Sequence, residues 1–124
     1  MSADPTRVAA RFLKAKHPLD GVRRHTLMPA NIARRIPKMR GQEDVDDPIV
    51  YLKLFSPYSG ARWLITEFDG RDEMFGWAEL HPGGGELGYM SLRELEGLNR
   101  RGLPLVERDM YWGNPRPLSK AKRD

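Results

Sequence analysis

The sequence predicts an α+β domain: a small, mostly antiparallel β-sheet of about four or five strands, a helix packed on one face, and short N-terminal helices. Three observations predict it. The stretch from Ile49 to Met90 holds several short runs of β-forming residues separated by brief turn signals. A capping-box pattern, Ser91-Leu92-Arg93-Glu94, follows directly and marks a helix start. One more apolar run, Leu105 to Trp112, comes after that helix. Turns this short cannot carry a parallel crossover, so the strands should form a meander.

The elements follow in order. Asp4 can cap a first helix and Pro5 suits its first turn. Val8, Ala9, Phe12 and Leu13 share one face of that helix, and His17-Pro18 ends it near residue 17. Residues 18–26 read as linker, with Asp20-Gly21 as a turn. Leu27 to Arg40 reads as a second short helix, with Pro29 near its start, Ile32 and Ile36 as its stripe, and Pro37 halting it near Ile36. Gly41 to Pro48 is an acidic, turn-rich separator.

Ile49–Phe55 is the first strand, turned by Ser56-Pro57-Tyr58-Ser59-Gly60. Ala61–Phe68, Met74–Leu80 and Glu86–Met90 follow as strands. In the helix from Ser91, Leu92, Leu95 and Leu98 should face the core, Glu96 and Arg100 should pair at i, i+4, and Gly102 and Pro104 should end it. The last strand is Leu105–Trp112, and the Pro115/Pro117 segment should be extended. The organisation expected is a basic extension at 1–26, one α+β domain at 27–119, and a basic tail at 120–124.

A chain of 124 residues, 40% hydrophobic and 31% charged, is sized for one domain. It has no cysteine, which removes disulfides, thiolate nucleophiles and cysteine-bound zinc. No apolar run reaches the ~20 residues of a membrane helix, and no secretory h-region follows Arg7 and Arg11. A cytoplasmic protein without membrane contact is expected.

The net charge of +4 is unevenly distributed. Residues 1–41 carry ten Lys/Arg against two Asp, residues 42–110 seven basic against fourteen acidic residues, and residues 111–124 four basic against one acidic. A basic arm and tail flanking an acidic body point to an anionic partner or to docking of arm on body.

Several phrases in this chain resemble one bacterial family. They are Leu27-Met28-Pro29, Lys53-Leu54-Phe55-Ser56-Pro57, Ala61-Arg62-Trp63-Leu64-Ile65-Thr66-Glu67, Phe75-Gly76 and Glu86-Leu87-Gly88-Tyr89-Met90-Ser91-Leu92. Glu94-Leu95-Glu96, Leu105-Val106-Glu107-Arg108-Asp109 and Pro117-Leu118-Ser119 continue the series. In this order, over roughly residues 27–119, they resemble domain-of-unknown-function family 2958. The resemblance implies a setting on plasmids and integrated mobile elements, with no catalytic residues to carry over. The first 26 residues, Trp77 and the Gly83-Gly84-Gly85 run depart from the family's pattern.

The chemistry-bearing residues give few enzyme signals. His17, His25 and His81 lack any HExxH spacing and read as surface or capping residues. His81-Pro82-Gly83-Gly84-Gly85 lacks the Gly-Lys-Ser/Thr of a P-loop and reads as a hairpin loop. Glu107 and Asp109, with Glu67 and Glu79 on other strands, could gather around Mg²⁺, but ion pairing on a solvated face is the simpler reading. No serine sits in a GxSxG elbow. No cofactor and no metal ligand set is expected.

The basic arm is the leading candidate. Arg23, Arg24, Arg34, Arg35, Lys38 and Arg40 could track the phosphates of DNA or RNA. Tyr51, Tyr58, Trp63, Trp77, Tyr89, Tyr111 and Trp112 could supply stacking surfaces where exposed. The expectation is a non-enzymatic accessory protein of a mobile element that contacts nucleic acid. The alternative is a module binding a host protein through Trp77 and Trp112; a small carboxylate-based, metal-dependent enzyme is third.

Overall fold

The computed structural model describes residues 26–124. The helix expected over 1–17, most of the linker after it, and Arg23 and Arg24 lie outside the described residues.

Among the described residues, nine strands and three short helices follow one another. They are α1 (Ala30–Ala33), β1 (Ile49–Val50), β2 (Leu52–Phe55), β3 (Arg62–Phe68), β4 (Glu73–Glu79) and β5 (Gly85–Ser91), then α2 (Leu92–Gly97), β6 (Asn99–Arg100), β7 (Leu103–Pro104), β8 (Glu107–Arg108), β9 (Arg116–Pro117) and α3 (Leu118–Ala121). Five of the strands form one antiparallel sheet in the order β5-β4-β3-β2-β8. The fold class is therefore α+β.

A bulge in β3 decides which side chains face which way. Register with β4 runs Leu64 to Trp77 and Ile65 to Gly76, then resumes at Glu67 to Phe75. Thr66 is the extra residue, and its hydroxyl donates to the Phe75 carbonyl at 3.0 Å. The slip puts Phe68 on the same side as Ile65 and moves Glu67 to the other. Gly76 is required beside it, because a Cβ there would lie 2.0 Å from the Leu64 carbonyl oxygen.

Each face of the sheet has its own core. On the inner face Leu52, Leu54, Trp63, Ile65, Phe68 and Met74 pack with Leu27, Met28, Ile36, Leu92, Leu95 and Val106. On the outer face Val50 and Leu64 pack with Trp112, Leu118 and Ala121, with Trp77 against them. Each large side chain so buried contributes about 1.5–3 kcal/mol.

Several expected boundaries move. The helix read over Leu27–Arg40 is only Ala30–Ala33, because the Pro37 carbonyl accepts from Phe68 N at 3.0 Å and draws the segment along β3. The first strand breaks at Tyr51: β2 stays in the main sheet while β1 pairs with β9. The last strand, read over Leu105–Trp112, pairs only at Glu107–Arg108.

Ser91 caps helix α2, where the sequence placed the helix start, with its hydroxyl oxygen accepting from Glu94 N. The Asp72 carboxylate completes the cap by accepting from Ser91 Oγ and Arg93 N. The helix ends at Gly97, before the expected Gly102. Leu98 is extended and exposed, and a β6–β7 hairpin replaces the helix's second half. Glu96 and Arg100 therefore never share a helix.

Helix α3 and Lys122 lie against the outer face of the sheet. Asp47 accepts from Ser119 N and Ser119 Oγ at 2.9 and 2.6 Å, holding the start of α3. Arg62 donates to the carbonyls of Ala121, Lys122 and Asp124, satisfying the far end. Among the described residues no helix is long and apolar enough to cross a membrane.

Candidate functional surfaces

Ile36 is buried in the inner core, Ile32 and Ala33 pack against that core, and the Pro37 carbonyl is held by Phe68 N, which together place the described part of the basic arm. Arg34, Arg35 and Lys38 are all exposed. None of the three forms a side-chain hydrogen bond or ion pair with another described residue. Arg35 also lines a cleft of about 220 Å³ together with Tyr51, Arg108, Asp109 and Met110.

Arg40 is placed differently. Its φ of 70° is left-handed, and its backbone N–H donates to Glu67 Oε1 at 2.7 Å. Its guanidinium grips Glu43 with two hydrogen bonds of 2.7 and 3.2 Å, which holds the Glu43 carboxyl below its usual range and raises Arg40. Arg40 thus meets the acidic body while the other three cations do not.

The carboxylates proposed as a metal cluster do not converge. Glu67, 5% exposed, accepts from the backbone N–H groups of Arg40 and Gln42 and serves as the anchor of that turn. Buried Gln42 extends the anchor: its amide donates to the Ile49 and Thr66 carbonyls and accepts from Ile49 N, standing in for a strand at the bulge. Glu79 accepts from Trp77 Nε1 at 3.0 Å and from Arg62 at 3.2 Å; the indole N–H first, and then the guanidinium, hold its carboxyl below the usual range. Asp109 faces Lys53 at 3.8 Å and accepts from Tyr111 N. Among the described residues no three His, Asp or Glu side chains gather as a metal site.

The two tryptophans nominated for a partner sit against the outer core. Trp112 is 7% exposed, with the Arg116 guanidinium 4.0 Å from its ring centroid. Trp77 is half-buried, its face covered by Lys122 Nζ at 3.7 Å from the ring centroid. Its indole also lies against the Gly85 backbone, where a Cβ would come within 2.3 Å of Nε1, so the third glycine of the 83–85 run has a packing role. Of the aromatic residues offered for stacking, Tyr58, Tyr89 and Tyr111 are exposed, Tyr51 is half-buried and Trp63 is buried.

An exposed apolar surface lies elsewhere on the same face. Leu87 and Tyr89 of β5 are 47% and 67% exposed and, with Phe75, line a groove of about 470 Å³. Arg40, Val45, Asp46, Pro48 and buried Glu67 also line it. Phe75 meets Tyr89 edge-on, with ring centroids 5.0 Å apart. Among the described residues strand β5 pairs only with β4, so its other side is an edge of the sheet they form.

Residues 24–123 match a family described as "Protein of unknown function (DUF2958)". The chain belongs to this family. No curated protein and no solved structure matches it. The family span takes in Arg24, Arg34, Arg35, Lys38, Arg40 and the whole of β5, and it leaves the first 23 residues outside. Both surfaces described above therefore belong to the family portion of the chain.

The edge strand and its groove escaped the sequence reading. A usable signal was present: Leu87 and Tyr89 alternate with Glu86 and Gly88 in a strand lacking proline and lysine. That β5 is the sheet's edge depends on β8 returning to the opposite side beside β2, which no local pattern encodes.

Proposed function

We propose that this DUF2958 protein is a non-enzymatic accessory of a mobile genetic element that contacts nucleic acid through its basic segment. Arg23, Arg24, Arg34, Arg35 and Lys38 track phosphates, and Arg40 holds the turn behind them. The observation that carries this reading is the trio Arg34, Arg35 and Lys38: three exposed cations within five residues, with no carboxylate partner among the described residues. Over residues 26–124 the fifteen basic and fifteen acidic residues balance, so attraction to a polyanion would be local to such a cluster. The dispersed, individually engaged carboxylates lend nothing to an enzymatic reading.

The test is fluorescence anisotropy with labelled single-stranded DNA, duplex DNA and RNA at two salt concentrations. Binding should weaken steeply with salt. The variant Arg34→Ala/Arg35→Ala/Lys38→Ala should flatten the log–log salt slope by about 2–3. Absence of binding at low salt, or an unchanged slope in the variant, refutes the reading.

The free edge and groove of β5 favour a second reading, a protein-interaction module that modulates a host factor. An extended segment of a partner would add to β5 as a further strand. Its side chains would meet Leu87, Tyr89 and Phe75, and Asp46 in the groove lining suits a basic residue, Glu43 being already held by Arg40.

A further inference from the structure

The hairpin that replaces the end of the expected helix has a chemistry of its own. Arg100 pairs with Leu103, leaving Arg101 and Gly102 as a two-residue turn. Their φ values of 55° and 85° are the positive pair that a type I′ turn needs. Asn99 secures the turn: its Nδ2 donates to the Gly97 carbonyl at 2.9 Å and its Oδ1 accepts from Gly102 N at 3.2 Å. The turn holds two exposed arginines side by side, and neither guanidinium is hydrogen-bonded or ion-paired with another described residue.

The β2–β3 turn lies opposite. Ser56, Tyr58, Ser59, Arg100, Arg101 and Leu103 line a cavity of about 510 Å³. Ser56 is only 8% exposed. Its hydroxyl oxygen accepts from Tyr58 N at 3.3 Å, and that of Ser59 accepts from Ala61 N at 3.2 Å. Both hydroxyls keep a proton to donate. Tyr58 is 52% exposed beside them, and no carboxylate lines the cavity.

We infer that this cavity binds a nucleotide, with its phosphate on Arg100 and Arg101 and its base against the ring of Tyr58. Two guanidinium forks suit phosphate oxygens, because each presents parallel N–H donors. The serine hydroxyls add donors at the base of the cavity, and a tyrosine face stacks any base. The volume lies within the range of small-molecule sites. The ligand is either a free nucleotide or the 5′-phosphorylated end of a single strand, which share this chemistry. The inference does not depend on the basic segment at residues 34–38.

The experiment is a ¹H–¹⁵N NMR titration of the full chain with AMP, adenosine and a 5′-phosphorylated trinucleotide. AMP should shift the amides of Tyr58, Arg100, Arg101 and Gly102 with a dissociation constant below about 1 mM, and adenosine should bind at least about tenfold more weakly. The variant Arg100→Gln/Arg101→Gln should lose at least about tenfold in AMP affinity, whereas Arg34→Ala/Arg35→Ala/Lys38→Ala should lose none. A trinucleotide that binds as tightly as AMP assigns the site to a strand end; a much weaker one assigns it to the free nucleotide. Should the double variant fail to fold, Arg100→Gln and Tyr58→Ala are read singly, and Tyr58→Ala should weaken AMP while sparing inorganic phosphate. Equal affinity for AMP and adenosine, shifts confined to other residues, or AMP binding unaffected by loss of the arginines overturns the inference.

Discussion

On one half of the sheet's outer face, Val50, Leu64 and Trp77 pack with the segment around α3; on the other, Phe75, Leu87 and Tyr89 face a groove. Strands β3 and β4 contribute to both halves, so strand composition alone does not separate them. The difference lies in what reaches across. Toward α3, Asp47 holds the helix start, Arg62 satisfies its end, and Lys122 lies over Trp77. Toward the groove, Glu67 and Gln42 fix the turn at 40–42, and that turn continues into the rim instead of a lid. An apolar strand face becomes core where polar groups can fasten a cover over it, and otherwise stays available to a partner.

The largest effect expected from breaking this contrast is at Leu64, which is fully buried beneath α3. Leu64→Ala should cost about 2–5 kcal/mol in urea unfolding, because deletion leaves a cavity between two fastened layers. A loss below about 1 kcal/mol would mean that α3 collapses freely onto the sheet and that the polar fastenings hold little.

A second expectation uses pH. Asp47 is held below its usual range by the hydrogen bonds from Ser119, and Glu79 by those from Trp77 and then Arg62. A carboxyl depressed in the folded state stabilises the fold at neutral pH, and that contribution disappears as pH falls through the folded-state value. The urea midpoint of the parent should therefore fall as pH drops below the ordinary carboxylate values of 3.8 and 4.5. Asp47→Asn/Glu79→Gln should be less stable than the parent at pH 7, and the gap should narrow steadily toward acid. A gap that stays constant as the carboxyls protonate would show that these two groups are not what fastens α3.

Much of the sheet was legible in the sequence because local chemistry decides it. Ser56-Pro57-Tyr58-Ser59-Gly60 and the capping box at Ser91 each sit where the chain turns or starts a helix. The misreadings came where distant partners override local preference. The alternation through Leu64, Ile65, Thr66, Glu67 and Phe68 hid a bulge that Gly76 and Gln42 accommodate from other segments. The helix from Ser91 was drawn too long because Leu92, Leu95 and Leu98 keep helical spacing, while Asn99 and Gly102 form a turn from Arg-Gly in place of the usual Asn-Gly. For the candidate surfaces, Arg34, Arg35 and Lys38 could be named from charge alone. Trp77 and Trp112 could not be placed, because the residues covering them come from the last part of the chain.

The smallest effect on stability, and the sharpest on function, is expected on the open half. Tyr89 meets Phe75 in an edge-to-face ring pair and is 67% exposed, so Tyr89→Ala should cost about 0.5–1.5 kcal/mol, and Leu87→Ala less. Under the protein-partner reading the same substitutions remove the apolar side chains that β5 offers to an added strand. The decisive contrast comes from a host-extract pull-down with the parent, with Leu87→Ala/Tyr89→Ala, and with Leu87→Pro. Proline at 87 removes an N–H from the side of β5 that faces away from β4 and fixes φ without adding charge. Partner captured by the parent and lost in both variants, with near-parent unfolding midpoints in the first, assigns recognition to the β5 edge. Capture retained in both variants removes the groove from consideration, and the protein-partner reading then loses the observation that supports it.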